Sequence, residues 1–199
     1  MPWRVIVPIK PLDGAKSRLG VPGPIRPALA FAFALDAIDA MRQSPEVATV
    51  VVTTNAGDLT DELVRRGIEV VSDPGQGLNA AITGASSTND DTAALVGDLP
   101  SVRSDEITQA LRRARSFDRA FVCDAMGVGT TLLTARAGVP LDPHFGEHSR
   151  AAHRASGAVE IEGALPGLRR DVDTTVDLWD AQRLGVGART QMILSSAHE

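Results

Sequence analysis

The chain has 199 residues, with 43% hydrophobic and 23% charged side chains, one cysteine and a formal net charge of −5. That is enough chain for one hydrophobic core without disulfides, and it is too apolar for intrinsic disorder. A single cysteine excludes a disulfide framework and a cysteine-based zinc site, the acidic balance argues against a general nucleic-acid binder, and no apolar run reaches the length of a membrane span.

The opening MPWRVIVPIK lacks the apolar core and small-residue cleavage site of a signal peptide, so a cytoplasmic protein is expected. Residues 5–9 (VIVPI) read as the first strand. Residues 28–41 have helical spacing, with Leu29, Phe33 and either Ala32 or Asp36 one turn apart, and Ser44-Pro45 stops them. Residues 47–54 (VATVVVTT) read as a buried strand. Asp58 is the expected cap of a helix running through Arg66 and ended by Gly67, and residues 68–71 make a third strand. A short helix over 78–86 follows a Gly-rich turn, and a fourth strand covers 93–96. Ser104 is the expected cap of a helix to Arg115, whose positive end Asp105 and Glu106 favour. Residues 120–123, 131–134 and 158–161 read as short strands. Asp173 is the expected cap of a last helix ending near Leu184, and the tail 189–199 reads as peripheral. No compositional break marks a linker. Residues 1–199 therefore form a single domain, an α/β fold with a largely parallel sheet.

Charge is distributed unevenly. Residues 1–20 carry a net +3, leaving −8 for the remainder, and the only two lysines among 20 basic residues are Lys10 and Lys16. Lysine is a compact point charge suited to phosphate. A basic loop with Lys10, Lys16 and Arg18, leaving the carboxyl end of the first strand, lies where open α/β sheets bind ligands. A solvated surface loop explains the same charges equally well. Neither a P-loop nor a G-x-G-x-x-G pattern follows a strand.

Asp98 in LVGDLP stands directly after an apolar strand, at the mouth of the same crevice. Magnesium prefers a few carboxylates plus substrate phosphate oxygens, although a strand-end acid is more often a turn residue. Asp171 and Asp173 in RDVDT share a face if the stretch is extended; Asp173 has helix capping as its alternative role, and Asp171 has none. The glycines and hydroxyls of GVGTT (127–131) and of HFGEHS (144–149) can present donors to an anion, or make an ordinary hairpin and helix start. Gly146 between His144 and His148 argues against helical metal ligation by that pair. Cys123 reads as a small buried hydrophobe.

Taken in order, VIVPIKPLDGAKSRL, GLNAAI at 77–82, GDLP at 97–100, GVGTT at 127–131, HFGEHSRAAHRASGA at 144–158 and LRRDVDTTVDL at 168–178 resemble the phospholactate/phosphoenolpyruvate guanylyltransferase family, over roughly residues 3–187. The long glycine-rich loop of sugar-nucleotide and molybdopterin nucleotidyltransferases is missing. The resemblance implies a single-domain, Rossmann-like, glycosyltransferase-A-type nucleotidyltransferase fold with a mixed, mostly parallel sheet. It also implies transfer of GMP from GTP to phosphoenolpyruvate with release of pyrophosphate. The product would be enolpyruvoyl-2-diphospho-5'-guanosine, passed to the next enzyme on the way to coenzyme F420, and a homodimer is compatible with the family.

By motif, Asp98 and Asp171, with Asp173 adjacent, are implied as ligands of two magnesium ions. Thr130, Gly146 and Ser149 are implied as contacts to the acid's carboxylate and phosphate. One extra residue between GVGT and HFG leaves Thr130 and Thr131 as alternatives. Lys10, Lys16 and Arg18 are assigned to the triphosphate, Asn79 to a nearby nucleotide contact, and Lys16, Arg18 and Asp98 to catalysis. This agrees with the chemistry, because an ionised substrate phosphate attacks without a general base and nucleotidyl transfer is mostly positioning and charge stabilisation. Two other readings stand beside this one: the same transfer onto 2-phospho-L-lactate, and a non-catalytic nucleotide-binding regulator on the same fold.

Overall fold

The computed structural model describes residues 1–10, 19–21 and 25–196. Strands β1 (Trp3–Pro8), β2 (Val47–Thr53), β3 (Glu69–Val71), β4 (Thr92–Leu95), β5 (Arg119–Cys123), β6 (Thr130–Ala135) and β7 (Val159–Glu160) form one sheet in the order β3-β2-β1-β4-β6-β5-β7. Strand β1 runs parallel to β2 and β4, β2 to β3, and β5 to β7; β6 alone is antiparallel to its neighbours β4 and β5. The cause is connection length. The tight loop 124–129 between β5 and β6 can only return the chain antiparallel, whereas parallel neighbours need a crossover of about a dozen residues or more. The sheet is therefore mixed and mostly parallel, as the sequence leads one to expect.

Helices α1 (Ile25–Arg42), α2 (Gly57–Arg65), α3 (Leu78–Ala85), α4 (Ser104–Ala114), α5 (Ser149–Ala155), α6 (Pro166–Arg169), α7 (Thr175–Leu184) and α8 (Ala188–Ser196) surround it. One face of the sheet, with Val5, Val7, Val52, Leu95, Val122 and Leu132, packs on Ile38 of α1 and Ile107 and Leu111 of α4. The opposite face buries Ile6 and Val51 against Ala85 of α3, and Phe121 and Leu133 against Ile82 and Phe145. Each such side chain removed from water contributes about 1.5–3 kcal/mol, which is why the central strands are apolar on both faces.

Several boundaries differ from the sequence reading, each for a local reason. Helix α1 starts at Ile25, ahead of Pro27, because a first-turn N–H has no partner inside the helix and proline loses nothing there. Helix α4 begins with Ser104 already helical, and it is Glu106 that accepts the Arg103 N–H, at 3.0 Å. The cap of α7 is Thr174: its hydroxyl accepts the Asp177 N–H, and the Asp177 carboxylate accepts the Thr174 N–H at 2.8 Å. Asp173 is thus relieved of the capping role.

The largest difference is α8, which stands where a peripheral tail was expected. Buried Asp36 of α1 accepts the backbone N–H groups of Arg189 (3.2 Å) and Thr190 (2.9 Å), capping α8 from another element, while Leu194 joins Leu29, Phe33 and Leu178 in a third apolar cluster. Gly187 makes this approach possible, since a Cβ there would lie 2.3 Å from Asp36 Cγ. Gly187→Ala is therefore expected to lower stability by about 1–3 kcal/mol, read as a lower denaturant midpoint at unchanged slope. An unchanged midpoint would show that α8 does not depend on this contact.

Candidate active site

The carboxyl ends of β1, β4 and β5 and the amino end of β6 meet along one edge of the sheet, since β6 alone runs in the reverse direction. Lys10 is exposed just past β1. Gly97 follows β4, where a Cβ would touch Val7 and Ile9 at 3.4–3.5 Å, so the turn carrying Asp98 lies tight against the end of β1. The segment carrying Asp171 is stitched on both sides: the Ala125 N–H donates to the Arg169 carbonyl at 2.7 Å and the Val172 N–H to the Asp98 carbonyl at 3.0 Å. Val172 is fully buried in the cluster with Leu29 and Phe33.

The result is a convergence of carboxylates. Burial first, then the negative charges of Asp98, Asp173 and Asp124, push the Asp171 carboxyl up to about 7. Crowded like charges of this kind suit a divalent cation, which would replace the proton they force onto Asp171. Among the described residues no three acidic, histidine or cysteine side chains close on a single point. The protein would hold part of a coordination sphere and leave the rest to substrate oxygens, as magnesium prefers. Asp124 is the member that the sequence reading missed. It follows the apolar strand RAFVC just as Asp98 follows β4, so the same signal was present.

Asp124 also explains the glycine-rich loop. Its Oδ1 accepts the Val128 N–H at 2.8 Å and its backbone carbonyl accepts the Gly127 N–H, so these amides turn inward instead of presenting themselves to an anion. A Cβ on Gly129 would sit 2.6 Å from Asp124 Oδ2. This glycine makes room for the acid.

Thr130 and Thr131 are separated by a bulge. Val122 pairs with Leu132 but Cys123 pairs with Thr130, so Thr131 is the extra residue and Thr130 swings to the face of Phe121 and Cys123. There its Oγ1 lies 2.9 Å from Nδ1 of His153, a fully buried residue of α5. The Thr131 hydroxyl is buried without a hydrogen bond among the described residues. The loop carrying Gly146 (φ +140°) is pinned from two sides. Asn79 of α3 donates to the Phe145 carbonyl (3.0 Å) and accepts the Phe145 N–H (2.8 Å), and the His144 N–H donates to His153 Nε2 (2.9 Å). Buried Ser149 opens α5, and Arg150 ties that helix to the hairpin by donating to the Gly127 carbonyl at 2.9 Å.

Burial, with the neighbouring charges of His144 and Arg119, lowers the His153 pKa to about 4. The unfolded chain takes up this proton near 6.5, the folded chain only near 4. Stability contributed by the neutral ring is complete above pH 6.5 and is lost as pH falls toward 4, in total about 3 kcal/mol. His153→Gln should remove that component, so the difference in unfolding free energy between wild type and variant should shrink as pH falls from 7 to 4. A constant difference would contradict it.

The structure thus brings Asp98, Asp171, Asp173, Thr130, Gly146 and Ser149 to one edge of the sheet and places Asn79 behind the Gly146 loop. Lys16 and Arg18 lie outside the described residues. Cys123 is buried as expected, with its thiol 2.5 Å from the Arg169 guanidinium. No helix among the described residues is long and apolar enough to cross a membrane.

The family model described as "Guanylyl transferase CofC like" matches residues 3–183. The chain is 46% identical over 203 residues to the phosphoenolpyruvate guanylyltransferase of Streptomyces coelicolor, covering 97% of this chain and 96% of that protein. It is 45% identical over 202 residues to the enzyme of the same name from Salinispora arenicola, covering 98% and 94%. A solved protein assigned as a nucleotide-diphospho-sugar transferase from Desulfovibrio desulfuricans superimposes with a TM-score of 0.76 at 17% identity, over 98% of this chain and 95% of that one. The CTP complex of CMP:2-keto-3-deoxy-manno-octonic acid synthetase reaches 0.61 at 14% identity, over 92% and 98%. At those identities the two structures speak for the fold alone.

Proposed function

The chain belongs to the CofC-like guanylyl transferase family, and on that premise we propose that it transfers GMP from GTP to phosphoenolpyruvate, releasing pyrophosphate and forming enolpyruvoyl-2-diphospho-5'-guanosine for coenzyme F420. The carrying observation is the identity of about 45% to phosphoenolpyruvate guanylyltransferases along nearly the whole of both chains. The convergence of Asp98, Asp124, Asp171 and Asp173 at the strand ends supports it, because two polyanionic substrates need cations between them.

In this reading Asp98 and Asp171, with Asp173 beside them, hold magnesium, which when bound supplies positive charge to both substrates. Thr130, Ser149 and the Gly146 backbone receive the small acid; Lys10, Lys16 and Arg18 neutralise the triphosphate. The chain's own work is to align the substrate phosphate with the α-phosphorus, since that phosphate is already ionised near neutral pH and needs no general base. Asn79 retains one amide hydrogen and one lone pair beyond its pair with Phe145, available to a nucleotide. The product passes to the next enzyme of the coenzyme pathway.

The test is pyrophosphate release from GTP with magnesium and either phosphoenolpyruvate or 2-phospho-L-lactate, repeated with ATP. Turnover with GTP and phosphoenolpyruvate is expected to exceed the other combinations. Faster turnover with 2-phospho-L-lactate would replace the acceptor, equal rates with ATP would remove the guanine preference, and GTP binding without turnover would make the protein a regulator.

A further inference from the structure

The imidazole of His153 has its tautomer dictated by its surroundings. The His144 backbone N–H is a donor only, and at 2.9 Å from Nε2 it requires that nitrogen to carry a lone pair. The ring hydrogen of the neutral side chain is therefore on Nδ1, which stands 2.9 Å from Thr130 Oγ1. The hydroxyl of Thr130 accepts from His153 and is left with its own hydrogen. Among the described residues no other hydrogen bond to that hydroxyl is present to take it. The ring cannot rotate to the opposite arrangement easily, because Phe145 packs edge-on at 5.1 Å and Phe121 lies 5.9 Å away.

We propose that His153 is a positioning residue that turns the Thr130 hydroxyl into a hydrogen donor aimed at an oxygen of the anionic small acid. The inference rests on the function proposed above and adds to it the direction of one hydrogen bond and the residue that sets it. Three features of the fold combine to produce it. The bulge at Thr131 brings Thr130 to the histidine, α5 carries the histidine beneath the Gly146 loop, and the backbone of that same loop selects the tautomer. With one lone pair engaged by His153, the hydroxyl turns its hydrogen away from the ring, and that hydrogen is best met by a carboxylate or phosphate oxygen, which can only accept and whose charge strengthens the bond.

Two variants separate the two nitrogens. His153→Gln keeps an acceptor near the Nε2 position, hence the loop anchor, and loses the donor to Thr130; His153→Asn places an amide N–H near the Nδ1 position and keeps that donor. Calorimetric titration with phosphoenolpyruvate should show about tenfold weaker binding for His153→Gln and for Thr130→Val, with His153→Asn closer to wild type. The GTP requirement in steady-state turnover should change less than about twofold, a split that a merely structural role would not produce. The double variant Thr130→Val with His153→Gln should bind no more weakly than Thr130→Val alone, because the two act as one unit. In the wild-type protein at pH 7, nitrogen-15 spectra should show His153 protonated on Nδ1 and bare on Nε2.

A proton on Nε2, unchanged phosphoenolpyruvate affinity in folded His153→Gln, or equal losses for GTP and phosphoenolpyruvate would each overturn the inference. Should His153→Gln fail to fold, the wild-type tautomer and Thr130→Val still decide. Unchanged binding in His153→Gln alongside a fully active wild type defeats this inference alone, whereas wild-type binding of phosphoenolpyruvate without GMP transfer defeats only the proposed function. A wild type that does not bind phosphoenolpyruvate defeats both.

Discussion

Asp171→Asn is expected to reduce GMP transfer at saturating magnesium by about a thousandfold or more while leaving the protein folded. Burial, together with the negative charges of Asp98, Asp173 and Asp124, keeps Asp171 protonated up to about pH 7. Removing its charge relieves that repulsion, so the thermal midpoint of the variant should equal or exceed that of the wild type. Loss of activity would then not be loss of fold. A cation entering the cluster must displace the Asp171 proton. Magnesium titration at pH 7 should release measurable protons from wild type and fewer from the variant. Asp98→Asn should lose activity to a similar degree, since among the charges acting on Asp171 that of Asp98 has the largest effect, and the Asn side chain removes it. Near-normal turnover in either variant would remove that residue from the metal-binding set.

The double substitution Lys10→Ala with Lys16→Ala is expected to raise the GTP requirement and lower the rate, together about a hundredfold in kcat/KM for GTP. Positive charge is needed most as pyrophosphate departs, when negative charge accumulates on the leaving group. Lys10 stands exposed just past β1, next to Ile9, whose side chain lies against Gly97 of the Asp98 turn, and Lys16 belongs to the same basic stretch of sequence. Arg18 can replace part of either lysine's effect, which is why the pair is the sharper test. The phosphoenolpyruvate requirement should move less, because Thr130 opens β6, which β4 separates from β1 in the sheet, and Ser149 opens α5. Varying GTP and phosphoenolpyruvate separately distinguishes the two, and an unchanged GTP response would reduce the basic stretch to a solvated loop.

The pattern of apolar runs and helical periods was enough to order the strands and most of the helices along the chain, because alternation between a buried strand and an amphipathic helix is a local property. Strand-end acids are legible for the same reason. Asp98 was recognised by its place after LV, and Asp124 satisfies the same rule after VC. The spacing of Asp171 and Asp173 placed them on one side of an extended stretch, and buried Val172 between them shows why.

What the sequence determined by itself, then, was the α/β class, the position of Lys10 and Asp98 just after strands, and the kinship carried by its ordered motifs. Only the tertiary structure decided how α8 docks, since its cap is a carboxylate about 150 residues away on α1. It alone decided which of two adjacent threonines meets His153, because a bulge is a mismatch between two strands and neither strand contains it. It decided, too, that a histidine with no metal-binding motif becomes a neutral, directed hydrogen-bond donor. Burial and a backbone N–H from a separate loop set that protonation, and both come into being only when distant segments pack together.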